Sequence, residues 1–150
     1  MSGRIIIGWR EWAALPELGV DHIKAKVDTG AKTSCVHAFN ITPFKRDGEE
    51  WVKFDLHPKQ HKRRPVVKCE AKVTDTRHIR SSNGATEERY VIETNLQLGP
   101  YCRKAQLTLT NRDEMGFRML IGRQALKGLY LVDASGSLGL PAPYETKNYG

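Results

Sequence analysis

Asp28, Thr29 and Gly30 follow an alternating stretch, Ile23-Lys24-Ala25-Lys26-Val27, and run directly into Ala31, Lys32, Thr33 and Ser34. A carboxylate at such a turn can activate water for attack on a carbonyl if a second carboxylate shares its proton. One of the two then accepts a proton from the water while the other donates a hydrogen bond to the carbonyl. One aspartate cannot do both. The glycine lets a backbone amide approach the carboxylate with no Cβ in the way. Asp75-Thr76-Arg77 and Asp133-Ala134-Ser135 lack that glycine, so the chain holds one such half-site and a working pair requires two copies about a two-fold axis. A lone Asp-Thr-Gly is commonly just a turn with Asp bonding backbone amides. Here it follows an apolar strand, precedes Ala31, and is matched later by Met119-Leu120-Ile121-Gly122-Arg123.

The elements that would position these residues are mostly strands. Trp51-Val52-Lys53-Phe54-Asp55-Leu56 interleaves apolar and charged residues, and Ala105 to Thr110 alternates strictly, placing every second side chain on one sheet face. Residues 66–80 and 85–98, rich in Val, Ile, Thr and Tyr, flank Ser81-Ser82-Asn83-Gly84 and predict a long hairpin with a charged tip. Helix is scarce: Arg123 to Lys127 consists of good helix formers and is closed by Gly128. Leu129-Tyr130-Leu131-Val132 predicts a buried strand, and the tail from Gly136 reads as irregular. Residues 1–135 are expected to form one domain, with 136–150 as an irregular tail.

The 150 residues include 24 Lys and Arg against 17 Asp and Glu, a net charge of +7 that favours encounter with anionic partners. Part of that charge clusters at Lys59, Lys62, Arg63 and Arg64 beside His57 and His61, which taken alone is most often a solvated loop. No apolar run approaches the roughly 20 residues a membrane helix needs, and Met1 to Trp12 does not form a signal peptide. Cys35, Cys69 and Cys102 are odd in number and widely spaced, the pattern of reduced thiols, so a cytoplasmic location is expected.

The two motif segments together resemble the retropepsin-like aspartic peptidases, marked by an apolar strand ending in Asp-Thr-Gly-Ala and an apolar run ending in Gly-Arg before a helix. The wider pattern adds Gly8-Trp9-Arg10-Glu11-Trp12, His37-Ala38, Glu87 to Ile92, Thr110 to Asp113 and Phe117-Arg118. It resembles the bacterial family labelled ATP-dependent zinc proteases, over residues 5 to 135. That family is associated with an ATP-grasp ligase that adds glutamates to a ribosomal protein. The resemblance implies a mainly β, closed acid-protease barrel with one short helix near the C-terminus, and an aspartic peptidase acting as a homodimer. Asp28, Thr29 and Gly30 would be catalytic, with the threonine hydroxyl bonding across the two-fold axis. Ala31, Lys32, Thr33 and Arg123 would contact substrate, whose anionic form could be the poly-glutamate tail of a ribosomal protein. Viral retropepsins usually carry an acid two positions after the glycine, paired with the arginine of Gly-Arg. Lys32 stands there, so Arg123 is expected to find another partner and the subsites to differ.

No His-Glu-x-x-His helix, Gly-rich phosphate loop or cysteine pair of structural-zinc spacing occurs, so neither metal nor other cofactor is expected. Cys35 with His37, even with help from His22, is a weak ligand set. Trp9 and Trp12 read as packing groups, and Asn111-Arg112-Asp113 as a local turn. Two other classes compete with the peptidase. One is a non-catalytic module of the same fold that binds an acidic or ribosomal partner. The other is an RNA-binding barrel, which ranks last because no aromatic-rich stacking strand is present and no direct nucleic-acid binding is expected.

Overall fold

A computed structural model describes residues 4–59, 64–80, 84–111 and 117–137, apart from the side chains of 79 and 80. The predicted tip at Ser81 to Asn83, the basic residues His61 to Arg63, and Arg112 with Asp113 lie outside the described residues. The alternation that marks strands is realised as burial. In β3 (Val20–Val27) the inward residues are Val20, Ile23, Ala25 and Val27, whereas Lys24 and Lys26 point outward. In β5 (Glu49–Leu56) Val52, Phe54 and Leu56 are buried and Lys53 is exposed.

One mixed sheet of eight strands carries most of the chain. Beside β3 and β5 it contains β2 (Arg10–Leu15), β4 (Ser34–Arg46), β6 (Val67–Arg80), β7 (Thr86–Leu98), β8 (Tyr101–Thr110) and β9 (Met119–Ile121), ordered β2-β3-β9-β4-β5-β6-β7-β8. Further pairing of β2 with β7 and of β4 with β8 closes the sheet on itself, a ring rather than a strict barrel. Inside lie Leu15, Ile23, Phe54, Leu56, Ile92, Leu107, Leu109, Met119 and Ile121, each under 2% exposed or at that level. Dense packing of this kind makes large-to-small changes there cost about 2–5 kcal/mol.

Two hairpins project from this ring. Asp47 and Gly48 join β4 to β5 with φ values of 53° and 78°, the mirror-image two-residue turn that matches strand twist. Arg46 beside that turn lies over the rings of Phe44 and Trp51 and pairs with Glu70 of β6 at 3.2 Å. The β6–β7 hairpin is long, as its composition predicts.

The N-terminal segment also pairs, which its sequence pattern did not announce. In β1 (Ile5–Ile7) the backbone runs parallel to β10 (Tyr130–Val132), forming a separate two-stranded sheet. The expectation that 129–132 is a buried strand holds only for Tyr130. Leu131 is 50% exposed and Val132 36%, and Ile6 opposite is 64% exposed, because no further element among the described residues covers this small sheet. Among the described residues no helix is long and apolar enough to cross a membrane.

Candidate active site

The placement of β9 creates the site. It lies between β3 and β4, parallel to the first (Val27 opposite Ile121) and antiparallel to the second (Val36 opposite Met119). The end of β3 and the end of β9 therefore emerge side by side. Asp28 follows β3 directly, and the short helix α1 (Arg123–Leu126) follows β9 after one residue, Gly122.

Backbone bonds stitch the two exits together. The amide of Asp28 donates to the carbonyl of Ile121 (2.9 Å), that of Arg123 to Ala31 (2.8 Å) and that of Gln124 to Lys32 (3.2 Å). Within the loop, the amide of Gly30 donates to the Asp28 carboxylate (Oδ1, 3.1 Å) and the amide of Ala31 to the Asp28 carbonyl (3.1 Å). The first of these is the close approach of a backbone amide to the carboxylate that the glycine permits. Gly122 is demanded by packing. A Cβ there would lie 2.6 Å from the carbonyl carbon of Thr33, and its amide donates to the buried hydroxyl of Ser34 (3.0 Å).

Thr29, Gly30, Lys32 and Arg123 are exposed, and Asp28, Ala31 and Thr33 are half-buried, all seven on this one loop and helix start. Arg123, deprived of an acid by Lys32, donates from Nη1 to the carbonyl of Gly30 at 3.2 Å. Beside the loop opens a cavity of about 530 Å³, lined by Thr29, Lys32, Arg123, Lys127, Tyr130 and Val132 among others. Its helical wall is braced from β8, where Arg103 donates to the carbonyls of Gln124 (3.1 Å) and Lys127 (3.2 Å). The long β6–β7 hairpin reaches the loop as well, for Arg77 donates from Nη1 to the Thr33 hydroxyl (3.2 Å) and from Nη2 to Gln106 (3.4 Å).

The sequence reading gave no site role to Ser34, which ends the motif, to Lys127, which ends the helix, or to Arg77 and Arg103, which meet the site through the sheet. Elsewhere Glu11, fully buried, accepts the Gly8 amide at 2.7 Å. Gly8 in turn passes so close to the Gly136 carbonyl that a Cβ would clash with it. His37 packs edge-on against Phe39 and His22 against Trp12. Among the described residues no three His, Cys, Asp or Glu side chains group as metal ligands.

Comparison with known proteins gives three findings. A family model described as RimB-like, retropepsin-like aspartic endopeptidase RimB, matches residues 6–138. Proteins named probable alpha-L-glutamate ligase from Shewanella halifaxensis and Shewanella pealeana are each 56% identical over 139 residues, and one of the same name from Parasynechococcus marenigrum is 51% identical over 137. These alignments take in 93%, 93% and 91% of this chain but only 30%, 30% and 29% of the relatives, so the chain spans under a third of the length of those curated proteins. A crystal structure of Lpg0085 from Legionella pneumophila, a protein described as of unknown function, superposes with a TM-score of 0.74 at 26% identity, covering 91% of this chain and 98% of that one.

Proposed function

The chain belongs to the RimB-like family of retropepsin-like aspartic endopeptidases, and on that premise we propose that it hydrolyses peptide bonds as a homodimer with Asp28 of each copy at the shared axis. The observation that carries the reading is the setting of Asp28: a half-buried carboxylate at the joined exits of β3 and β9, ordered by the Gly30 amide, next to an open cavity. Two such carboxylates in contact share one proton. The ionised one takes a proton from the attacking water, and the protonated one donates to the substrate carbonyl as it becomes tetrahedral. Collapse of that intermediate breaks the C–N bond, and the leaving nitrogen takes a proton from the pair.

Thr29 and Gly30 shape the loop, Ala31, Lys32, Thr33 and Arg123 line the approach of the peptide, and the β6–β7 hairpin supports the loop through Arg77. No metal or other cofactor takes part. The exposed face of the β1–β10 sheet, with Ile6, Leu131 and Val132, supports the dimer because it adjoins the cavity wall at Tyr130 and Val132 and none of the described residues covers it.

The substrate we propose is a glutamate-extended tail, as on a ribosomal protein, met in the cytoplasm. Net charge of +7 favours it, and the relatives that contain this domain are named for glutamate ligation, the reverse of tail removal. The free state of Cys35, Cys69 and Cys102 suits that compartment.

Replacing Asp28 by Asn is expected to abolish cleavage of an oligoglutamate-tailed peptide while leaving the far-ultraviolet circular dichroism and Tm unchanged. Retained activity would refute the assignment.

A further inference from the structure

The dimeric reading proposed above raises an electrostatic problem at the face where two copies must meet. Lys32, Arg123 and Lys127 all line the cavity that begins at Thr29, the residue after Asp28. None of the ion pairs among the described residues includes any of the three. Among the described residues Arg123 has no acid beside it and donates instead to the neutral Gly30 carbonyl. Bringing two Asp28 loops into contact therefore brings six cations around one axis. Among the described residues the nearby acids offset them only in part: the Asp28 pair, sharing a proton, carries a single charge, and one Asp133 from each copy, held ionised by the amide and hydroxyl of Ser135, adds two more against six.

Among the described residues of that sheet, the apolar surface available to overcome this repulsion is small. Ile6, Leu131 and Val132 are the exposed large hydrophobics of the β1–β10 sheet, and three partly exposed side chains fall well short of the roughly 800 Å² per partner that stable interfaces bury. Like charges facing each other across an interface cost several kcal/mol as a general rule. An acidic peptide laid along the cavity reverses the sign of this contribution, since its carboxylates sit between cations of both copies.

We infer that an acidic peptide drives assembly of this chain, so that the two Asp28 half-sites come together only around a polyanionic substrate. Lys32 and Lys127, exposed on flexible stems at the cavity mouth, sense the anion, while Arg123 is fixed against the catalytic loop. Binding and assembly are thus reciprocal: whatever free energy the peptide gains from the dimer, it returns as stability of the dimer.

The test is sedimentation velocity on the full chain carrying Asp28→Asn, so that peptide is not consumed, with oligoglutamate, with oligoglutamine and with neither. Oligoglutamate is expected to lower the apparent dimer dissociation constant by about tenfold or more, and oligoglutamine by less than about twofold. Raising salt should tighten the dimer without peptide and shrink the oligoglutamate effect. Adding Lys32→Gln with Lys127→Gln should give a dimer that forms without the anion and ignores it. Lys68→Gln with Lys72→Gln, which removes the same two charges from exposed positions on β6, should behave like its parent.

Equal dimerisation with and without oligoglutamate overturns the inference, as does oligoglutamate bound only to monomer. Cleavage by the parent chain separates this from the peptidase reading. A constitutive dimer that cleaves leaves that reading standing and removes this one, whereas assembly on oligoglutamate with no cleavage does the reverse.

Discussion

A methyl group is enough to disturb the Asp28 loop. Gly122→Ala places a carbon 2.6 Å from the backbone of Thr33, where neither neighbour is a flexible side-chain end, so α1 has to move off the loop. The expected cost is about 1–3 kcal/mol of stability, read as a lower Tm, together with loss of most activity. Ser34→Ala, which leaves the buried Gly122 amide without its acceptor, should cost about 1–3 kcal/mol by the same measurement. Asp28, Thr29, Gly30, Ala31, Lys32, Thr33 and Arg123 were legible in the sequence because the first six are contiguous and the last sits in a short motif of its own. Ser34 and Arg77 were not, for their partners lie 88 and 44 residues away, and no local spacing encodes a contact made through the sheet.

Among elements, the strands with strict alternation were readable, since one buried face imposes period two on the sequence. The Asp47-Gly48 turn carried as strong a hairpin signal as Asn83-Gly84, yet β4 before it is charged and exposed toward that turn, which blurs its alternation. β1 and β10 were harder still. Each is three residues long, and their parallel pairing joins opposite ends of the chain. Tyr130 anchors β10 by donating its hydroxyl to the Leu98 carbonyl. Burial pushes that hydroxyl up from 10.0 to about 12, and burial with the charge of Asp55 pushes the Cys69 thiol up from 9.0 to about 12. Both groups stay neutral in the folded chain at pH values where the unfolded chain ionises them. The stability they lend is therefore complete below pH 9 and is lost as the pH rises toward 12. Urea midpoints taken at pH 8, 10 and 11 should fall in that order. Tyr130→Phe should lower the midpoint at pH 8 by about 1 kcal/mol equivalent and make the alkaline fall shallower.

For the molecule as a whole, the motif pair announced a closed, mainly β architecture, and the ring of eight strands agrees with it. How the ring closes, by β2 on β7 and β4 on β8, could not be read from any one segment. Ile6→Asp and Leu131→Asp put charges on exposed positions of the β1–β10 sheet, so the single chain should keep its Tm. Cleavage per mole of chain should instead become steeply concentration-dependent, shifting to protein concentrations at least about tenfold higher. An unchanged concentration profile would place the subunit contact elsewhere.

The insertion of β9 between β3 and β4 also sets an order of events at the ribosome. Asp28 is synthesised early, yet the amide of that residue has no acceptor, and its loop no helix to lean on, until Ile121 and Arg123 have left the exit tunnel. Two strands already translated must admit a third between them, a long-range step of the slow kind. A chain released short of residue 119 should therefore hold most of its hairpins but no ordered acidic loop, and the proposed hydrolytic capacity arrives only once β9 and α1 have joined the sheet.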